Sequence, residues 1–172
     1  MFCDICSSIL LEIVAVSQSV ERNSLDLRFQ NYRLRNKTAE ARLLASIAER
    51  DITQPLCGVD TPQGRLLLDG FKRYRCAEKL GIECVPYVSL GAEETQGIAA
   101  LVRPTESKTL CILEQARFVV ELLTTHGLSV AEVAELLSRS KAWVSLRRDL
   151  LAEMSPAVQE TLFRGQFSVY SY

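Results

Sequence analysis

The feature that most constrains this chain is a change of periodicity at Gly91. Before it, short aliphatic runs of strand length alternate with helical patterns. After it, apolar residues recur only at helical spacing. This predicts an α+β fold: a mixed α/β unit over residues 1–91, then an all-helical unit over 92–172. At 172 residues the chain is long enough for two small cores.

In the first part, residues 9–16 are aliphatic and short, and read as a strand. Residues 38–50 read as a helix with Thr38 as its cap, and Leu43, Leu44, Ile47 and Ala48 share a face. A hairpin follows, with arms at 55–59 and 65–68 and turn chemistry in Asp60-Thr61-Pro62-Gln63-Gly64. Residues 71–80 read as a helix closed by Gly81. Cys84 to Leu90 returns as a strand, where Pro86 signals an edge or a bulge.

In the second part, Ile112, Ala116, Val119 and Leu123, widened by Leu113 and Val120, mark a helix that ends near His126-Gly127. The lone histidine reads as a last-turn residue beside a glycine cap. Ser155, Pro156 and Gly165 delimit a final helix with Val158, Leu162 and Phe163 on its apolar face.

Between these two helices lies the pattern with the clearest chemistry, over 129–151. Ser129 and Glu132 form a capping box, and a short helix runs through Val133, Ala134 and Leu137. Ser138-Arg139-Ser140 makes a tight turn, and a second helix starts at Lys141. Small Ala134 permits close approach, and Val133, Leu137, Val144 and Leu150 supply a shared core. This is a helix-turn-helix, whose second helix fits the major groove of duplex DNA. Ser140, Lys141, Trp143, Ser145 and Arg147 are the candidates to face base edges, and Arg139 and Arg148 to hold phosphates. Two features depart from the pattern: Ser138 stands where glycine is usual, and Arg147 falls near the apolar stripe. A plain helical hairpin would explain the helices, but not the acid-free basic stretch over 139–148.

Charge and cysteine content narrow the alternatives. A net charge of −1 excludes a uniformly basic coat, so any DNA face must be local. A second acid-free stretch, 28–37, fits such a face and an ordinary solvated surface equally well. Cys3 and Cys6 form a C-x-x-C with no second pair, and four of the six cysteines sit in apolar contexts. No metal site is read from them. The apolar run 9–16 is broken by Glu12, and no stretch reaches the roughly 20 apolar residues of a membrane span. The chain therefore reads as cytoplasmic.

Three stretches, taken in order, resemble the ParB family of partition proteins. They are Leu44–Ala48 through Thr53-Gln54-Pro55-Leu56, then Leu68-Asp69-Gly70-Phe71-Lys72-Arg73-Tyr74-Arg75-Cys76-Ala77 with Val85-Pro86, then the helix-turn-helix continued by Leu150-Leu151 and Pro156–Gln159. The resemblance implies a ParB/sulfiredoxin-like N-terminal domain, double-stranded DNA as partner, a homodimer, and contact with a partition ATPase. It also implies CTP as a ligand, with Gln54, Gly70, Lys72, Arg73 and Arg75 as its binding residues. From the residues alone, Gly70 opens a helix whose first amides can meet an anion, and the three cations can face either phosphates or solvent.

The sequence departs from the family where Mg²⁺ would be held. Phe71 replaces a glutamate, and Arg103-Pro104 falls where a Glu-Asn pair is expected. CTP hydrolysis is accordingly expected to be weak or absent, and no catalytic residue is assigned. The competing reading is a ParB-like kinase or nuclease built on Asp69-Gly70-x-x-Arg73-Tyr74, with no histidine nearby to assist it.

Overall fold

The computed structural model describes residues 17–103 and 110–166. The strand expected over 9–16 lies outside the described residues. The chain divides into two compact units. One takes the described residues up to Arg28 together with Lys37–Ala92; the other takes Phe29–Asn36 and the chain from Glu93 onward.

The first unit is built on a mixed five-stranded sheet. Its strands are β1 (Gln18–Glu21), β2 (Leu25–Asp26), β3 (Leu56–Thr61), β4 (Gly64–Asp69) and β5 (Cys84–Ser89), in spatial order β1-β5-β3-β4-β2. β3 and β4 form the expected antiparallel hairpin, but its loop is tighter than the sequence suggests. Asp60 pairs with Arg65 and Thr61 with Gly64, which leaves only Pro62 and Gln63 in the turn. Leu66, Leu67 and Leu68 are all buried in succession, so β4 is covered on both faces.

Pro86 does not mark an edge strand, because β5 lies between β1 and β3. Its surroundings are edge-like all the same. β1 pairs with residues 84–87 of β5, whereas β3 pairs only from Tyr87 onward. Proline's missing N–H therefore falls where β5 has one neighbour.

Helices α1 (Lys37–Arg50) and α2 (Phe71–Lys79) complete this unit. Thr38 lies inside α1 rather than capping it. Leu43, Leu44 and Ile47 turn inward as expected, while Ala48 is exposed. Phe71, Tyr74, Cys76 and Ala77 form the buried face of α2. Of the cysteines read as core residues, Cys76 is buried, Cys57 and Cys111 are half-buried, and Cys84 is exposed.

The second unit is helical among its described residues: α3 (Glu94–Val102), α4 (Ile112–Thr124), α5 (Val130–Leu136), α6 (Lys141–Ala152) and α7 (Pro156–Phe163). α3 is absent from the sequence reading. The buried stripe of α4 is Leu113, Ala116, Phe118, Val119 and Leu122, while Ile112, expected within it, is exposed at the first turn. Leu113, Ala116, Leu151, Leu162 and Phe163 close one core.

Phe29–Asn36 joins this helical unit, although it precedes α1 in sequence. Two anchors hold it. Phe29, Tyr32 and Phe118 form an aromatic cluster with tilted and edge-on rings, their centroids 4.9–5.6 Å apart. The buried Glu114 carboxylate accepts from the Leu34 amide at 2.8 Å, from Arg33 Nε at 3.1 Å and from the Cys111 amide at 2.9 Å. Three donors satisfy a buried charge that would otherwise cost several kcal/mol, on the order of a lost buried ion pair. Arg33 of the first acid-free stretch is thus spent on the fold, and Arg28 of the same stretch pairs with Asp26 at 3.0 Å.

Candidate nucleic-acid and nucleotide sites

Helices α5 and α6 occupy the stretch expected to be a helix-turn-helix. Ser129 Oγ accepts from the Glu132 amide at 3.2 Å, and the Glu132 carboxylate accepts from the Ser129 amide at 2.8 Å. That reciprocal bond holds the Glu132 carboxyl below its ordinary range. At the other end of α5, Arg103 donates from Nε and Nη2 to the Leu136 carbonyl at 3.0 and 2.8 Å. A cation there suits the negative end of the helix dipole. So Arg103, expected from the resemblance to replace a metal-holding pair, works here as a helix cap.

The turn runs through Ser138, whose φ of 53° lies in the left-handed region. That is the conformation for which glycine is usual at this position. The Arg139 amide then reaches back to the Ala134 carbonyl at 2.8 Å, and Ser140 Oγ accepts from the Trp143 amide at 3.1 Å to start α6. Val133, Ala134, Leu137 and Val144 are buried in this stretch. Leu150, expected in the shared core, is half-buried and packs with Leu151 in the core of Leu113, Ala116, Leu162 and Phe163.

The candidate DNA-facing residues separate into distinct environments. Trp143 lies between two guanidinium groups, with Arg139 Cζ 5.1 Å and Arg147 Cζ 4.5 Å from its ring centroid. Arg147 also donates to Gln115 Oε1 at 3.3 Å. Burial, and then the neighbouring Arg139 charge, make its proton easier to lose than an ordinary arginine's. Arg148 is exposed and bonds to Asp149 at 2.8 Å. Lys141 is exposed with no partner among the described residues, and Ser145 is half-buried. Leu146 is 65 % exposed in the middle of α6. The sequence reading left it out, although a large apolar residue flanked by Ser145 and Arg147 on a basic helix was the available signal.

The candidate nucleotide residues gather where β4 runs into α2. Gly70 precedes the helix at φ 98°, and a Cβ there would come within 2.9 Å of the Leu56 side chain. Both facts require glycine. The first amides of α2 have no partner within the helix. Arg73 turns away from them. Its Nη1 donates to the carbonyls of Gln54 and Pro55 at 2.9 and 2.7 Å, and its Nη2 pairs with Asp69 at 3.2 Å.

Arg75 donates to Glu40 Oε2 from Nε at 3.0 Å and from Nη2 at 2.8 Å, while Lys79 takes the other oxygen at 3.1 Å. The Arg75 bond, reinforced by Lys79, holds the Glu40 carboxyl low against the opposing effect of burial. Lys72 is half-buried with no partner among the described residues. Gln54 is exposed, and its backbone carbonyl accepts from Arg73. Asp69 and Arg73, central to the enzyme reading, are bound to each other. Cys76 is buried against the Glu40 carbonyl at 3.7 Å, and burial raises its thiol above the ordinary range. Such a thiol is a poor nucleophile.

No family model matches the chain. Among curated proteins, the chromosome-partitioning protein Spo0J of Thermus thermophilus is 32 % identical over 127 residues, which cover 73 % of this chain and 46 % of that protein. The probable chromosome-partitioning protein ParB of Vibrio cholerae is 29 % identical over 123 residues, 69 % of this chain and 42 % of that one. The chain thus spans less than half the length of these relatives. Among solved structures, a Pnob8-like ParB-N domain superposes with a TM-score of 0.53 at 14 % identity, covering 89 % of this chain and 75 % of that one. At that identity the likeness speaks for the fold alone. The order of the three sequence stretches, the relatives and the shared fold all point to the ParB-type family of partition proteins.

Proposed function

We propose that this chain is a sequence-specific duplex-DNA-binding protein of DNA partition, and that α6 is the helix that reads the groove. The observation that carries this is the Trp143 indole held between Arg139 and Arg147 at the head of a Ser140-capped helix. An aromatic face fixes two guanidinium groups without using up their hydrogen-bond donors on carboxylates. Lys141, Ser145 and Leu146 then share the readout, with Leu146 suited to a thymine methyl. Arg148 serves a phosphate. Paired half-sites call for two copies of the chain, since each half-site multiplies the affinity of the other. A partition ATPase is the further partner, and a role in transcription would use the same DNA contacts.

The test is selection of binding sites from a random duplex pool, followed by anisotropy titrations at fixed salt. Lys141→Ala and Leu146→Ala are each expected to cost about 1–3 kcal/mol at the selected site. Leu146→Ala is expected to relax preference at a single position. Failure of the chain to enrich any sequence over the starting pool would sink the reading.

CTP is the proposed ligand of the first unit, its phosphates meeting the first amides of α2 beside Gly70 and Lys72. The Gln54 side chain, at the edge of the same loop, is the contact for base or sugar. Arg73 and Arg75 shape this site by holding the loop and α1. Mg²⁺ finds no oxygen ligand at Arg103, so binding is expected without efficient hydrolysis. Equilibrium dialysis with CTP against ATP, GTP and UTP tests this. Lys72→Ala is expected to weaken CTP binding about tenfold, on the scale of one charge-assisted phosphate contact. Equal affinity for all four nucleotides, or for none, would reject it.

A further inference from the structure

Away from α6, three side chains that the DNA-binding reading does not use converge in the helical unit. Glu94 opens α3, Glu121 lies in the last turn of α4, and His126 follows that helix just before Gly127, which has φ 65°. One donor atom from each lies within 4.8 Å of the other two, and all three side chains are half-buried. His126 Nε2 is 3.1 Å from Glu94 Oε1. Glu121 Oε2 accepts from the Tyr32 hydroxyl at 2.6 Å.

We infer that Glu94, Glu121 and His126 form a site for a divalent transition metal of the zinc type. One imidazole nitrogen and two carboxylate oxygens are a borderline donor set that suits Zn²⁺ over Mg²⁺ or Ca²⁺, which want oxygen throughout. Three protein ligands leave a fourth tetrahedral position open. Zinc bonds of roughly 2.0–2.1 Å place donor atoms about 3.3 Å apart, so small side-chain rotations close the cluster.

The charge balance favours a cation. Glu121 has no ion-pair partner among the described residues, and the nearby Arg117 guanidinium stacks on the rings of Tyr32 and Phe163 at 5.8 and 4.4 Å. The Tyr32 hydroxyl is already engaged as a donor to the Glu121 carboxylate. It therefore stays a donor that orients Glu121, the part an outer-shell group plays at a metal site.

The experiment uses the whole chain with Cys3→Ser and Cys6→Ser, so that the C-x-x-C cannot compete, and involves no DNA. After EDTA treatment and dialysis, ZnCl₂ is titrated by calorimetry and CoCl₂ is followed by visible absorption. The expected result is one Zn²⁺ per chain, a raised melting temperature, and Co²⁺ bands without a sulfur charge-transfer band. Glu121→Gln, which keeps an acceptor for Tyr32 and so keeps the fold, is expected to weaken Zn²⁺ at least tenfold. His126→Gln is expected to do the same. No saturable binding, a strong sulfur-to-cobalt band, or a Glu121→Gln affinity equal to wild type would overturn the site. DNA binding could fail entirely and leave this result unchanged.

Discussion

Two pairs of arginines in this molecule look alike in sequence and differ in what they touch. Arg73 and Arg75 stand two residues apart on α2, and Arg139 and Arg147 flank Trp143 at the start of α6. The first pair is bound to carboxylates and backbone carbonyls: Arg73 to Asp69, Gln54 and Pro55, and Arg75 to Glu40. The second pair lies on an aromatic face, with Arg147 also bonded to Gln115. A guanidinium group has five N–H donors, and an acceptor-rich shell occupies them while a ring face does not. The first pair therefore acts mainly on the fold, and the second remains equipped to meet an external anion or base edge.

If this contrast is right, the largest effect falls on stability in the first unit. Arg73→Ala strips two carbonyls of their donor and leaves Asp69 without its guanidinium. It is expected to cost about 1.5–3 kcal/mol in urea unfolding, the range for hydrogen bonds to charged groups. The loss should be equal with and without CTP. A fully stable Arg73→Ala that lost only CTP affinity would break the comparison, because it would make Arg73 a ligand contact and not a brace.

Glu40 gives the same idea a pH signature. Its folded carboxyl is held low chiefly by Arg75, so its contribution is complete at pH values above the ordinary carboxylate range. It is lost as the pH falls through that range and below. Glu40→Gln is expected to cost about 1–2 kcal/mol at neutral pH and almost nothing in acid, seen as a flatter stability curve between the two. An unchanged slope would mean that other carboxylates carry the acid sensitivity.

What the sequence disclosed follows the range of the interactions involved. The hairpin, α2 and the short helix pair α5 and α6 are set by neighbours in the chain, through turn residues, caps and local periodicity, and they were legible. The capture of Phe29–Asn36 by the helical unit was not. It depends on Phe118 and Glu114, roughly 80–90 residues away. Nor did periodicity show that Ile112, at the first turn of α4, would face solvent. The candidate sites divide in the same way. The candidates for a DNA face could be drawn up from one helix, but only the fold shows that Arg73 serves Gln54 and Pro55, or that a lone histidine meets two glutamates from other elements.

For the second pair the sharper test is the ring between them. Trp143→Ala frees both guanidinium groups and is expected to lower affinity for a selected DNA site about tenfold, near the upper range of two exposed cation–π contacts. Trp143→Phe keeps a π face and is expected to lose only about two- to threefold. Equal losses in the two variants would show that the indole itself, and not its hold on Arg139 and Arg147, is what DNA meets.

The smallest expected effect concerns the turn that delivers Arg139 to the ring. Ser138 is non-glycine at φ 53°, a conformation that costs an L-residue roughly 1 kcal/mol and that glycine adopts freely. Glycine also loses more entropy on folding, which offsets part of the gain. Ser138→Gly is therefore expected to stabilise the protein by about 0.5 kcal/mol, a small rise in melting temperature, with DNA affinity unchanged within about twofold. If affinity falls while stability rises, the strained turn helps to set the position of Arg139 on Trp143, and the second pair depends on the backbone as closely as the first depends on its carboxylates.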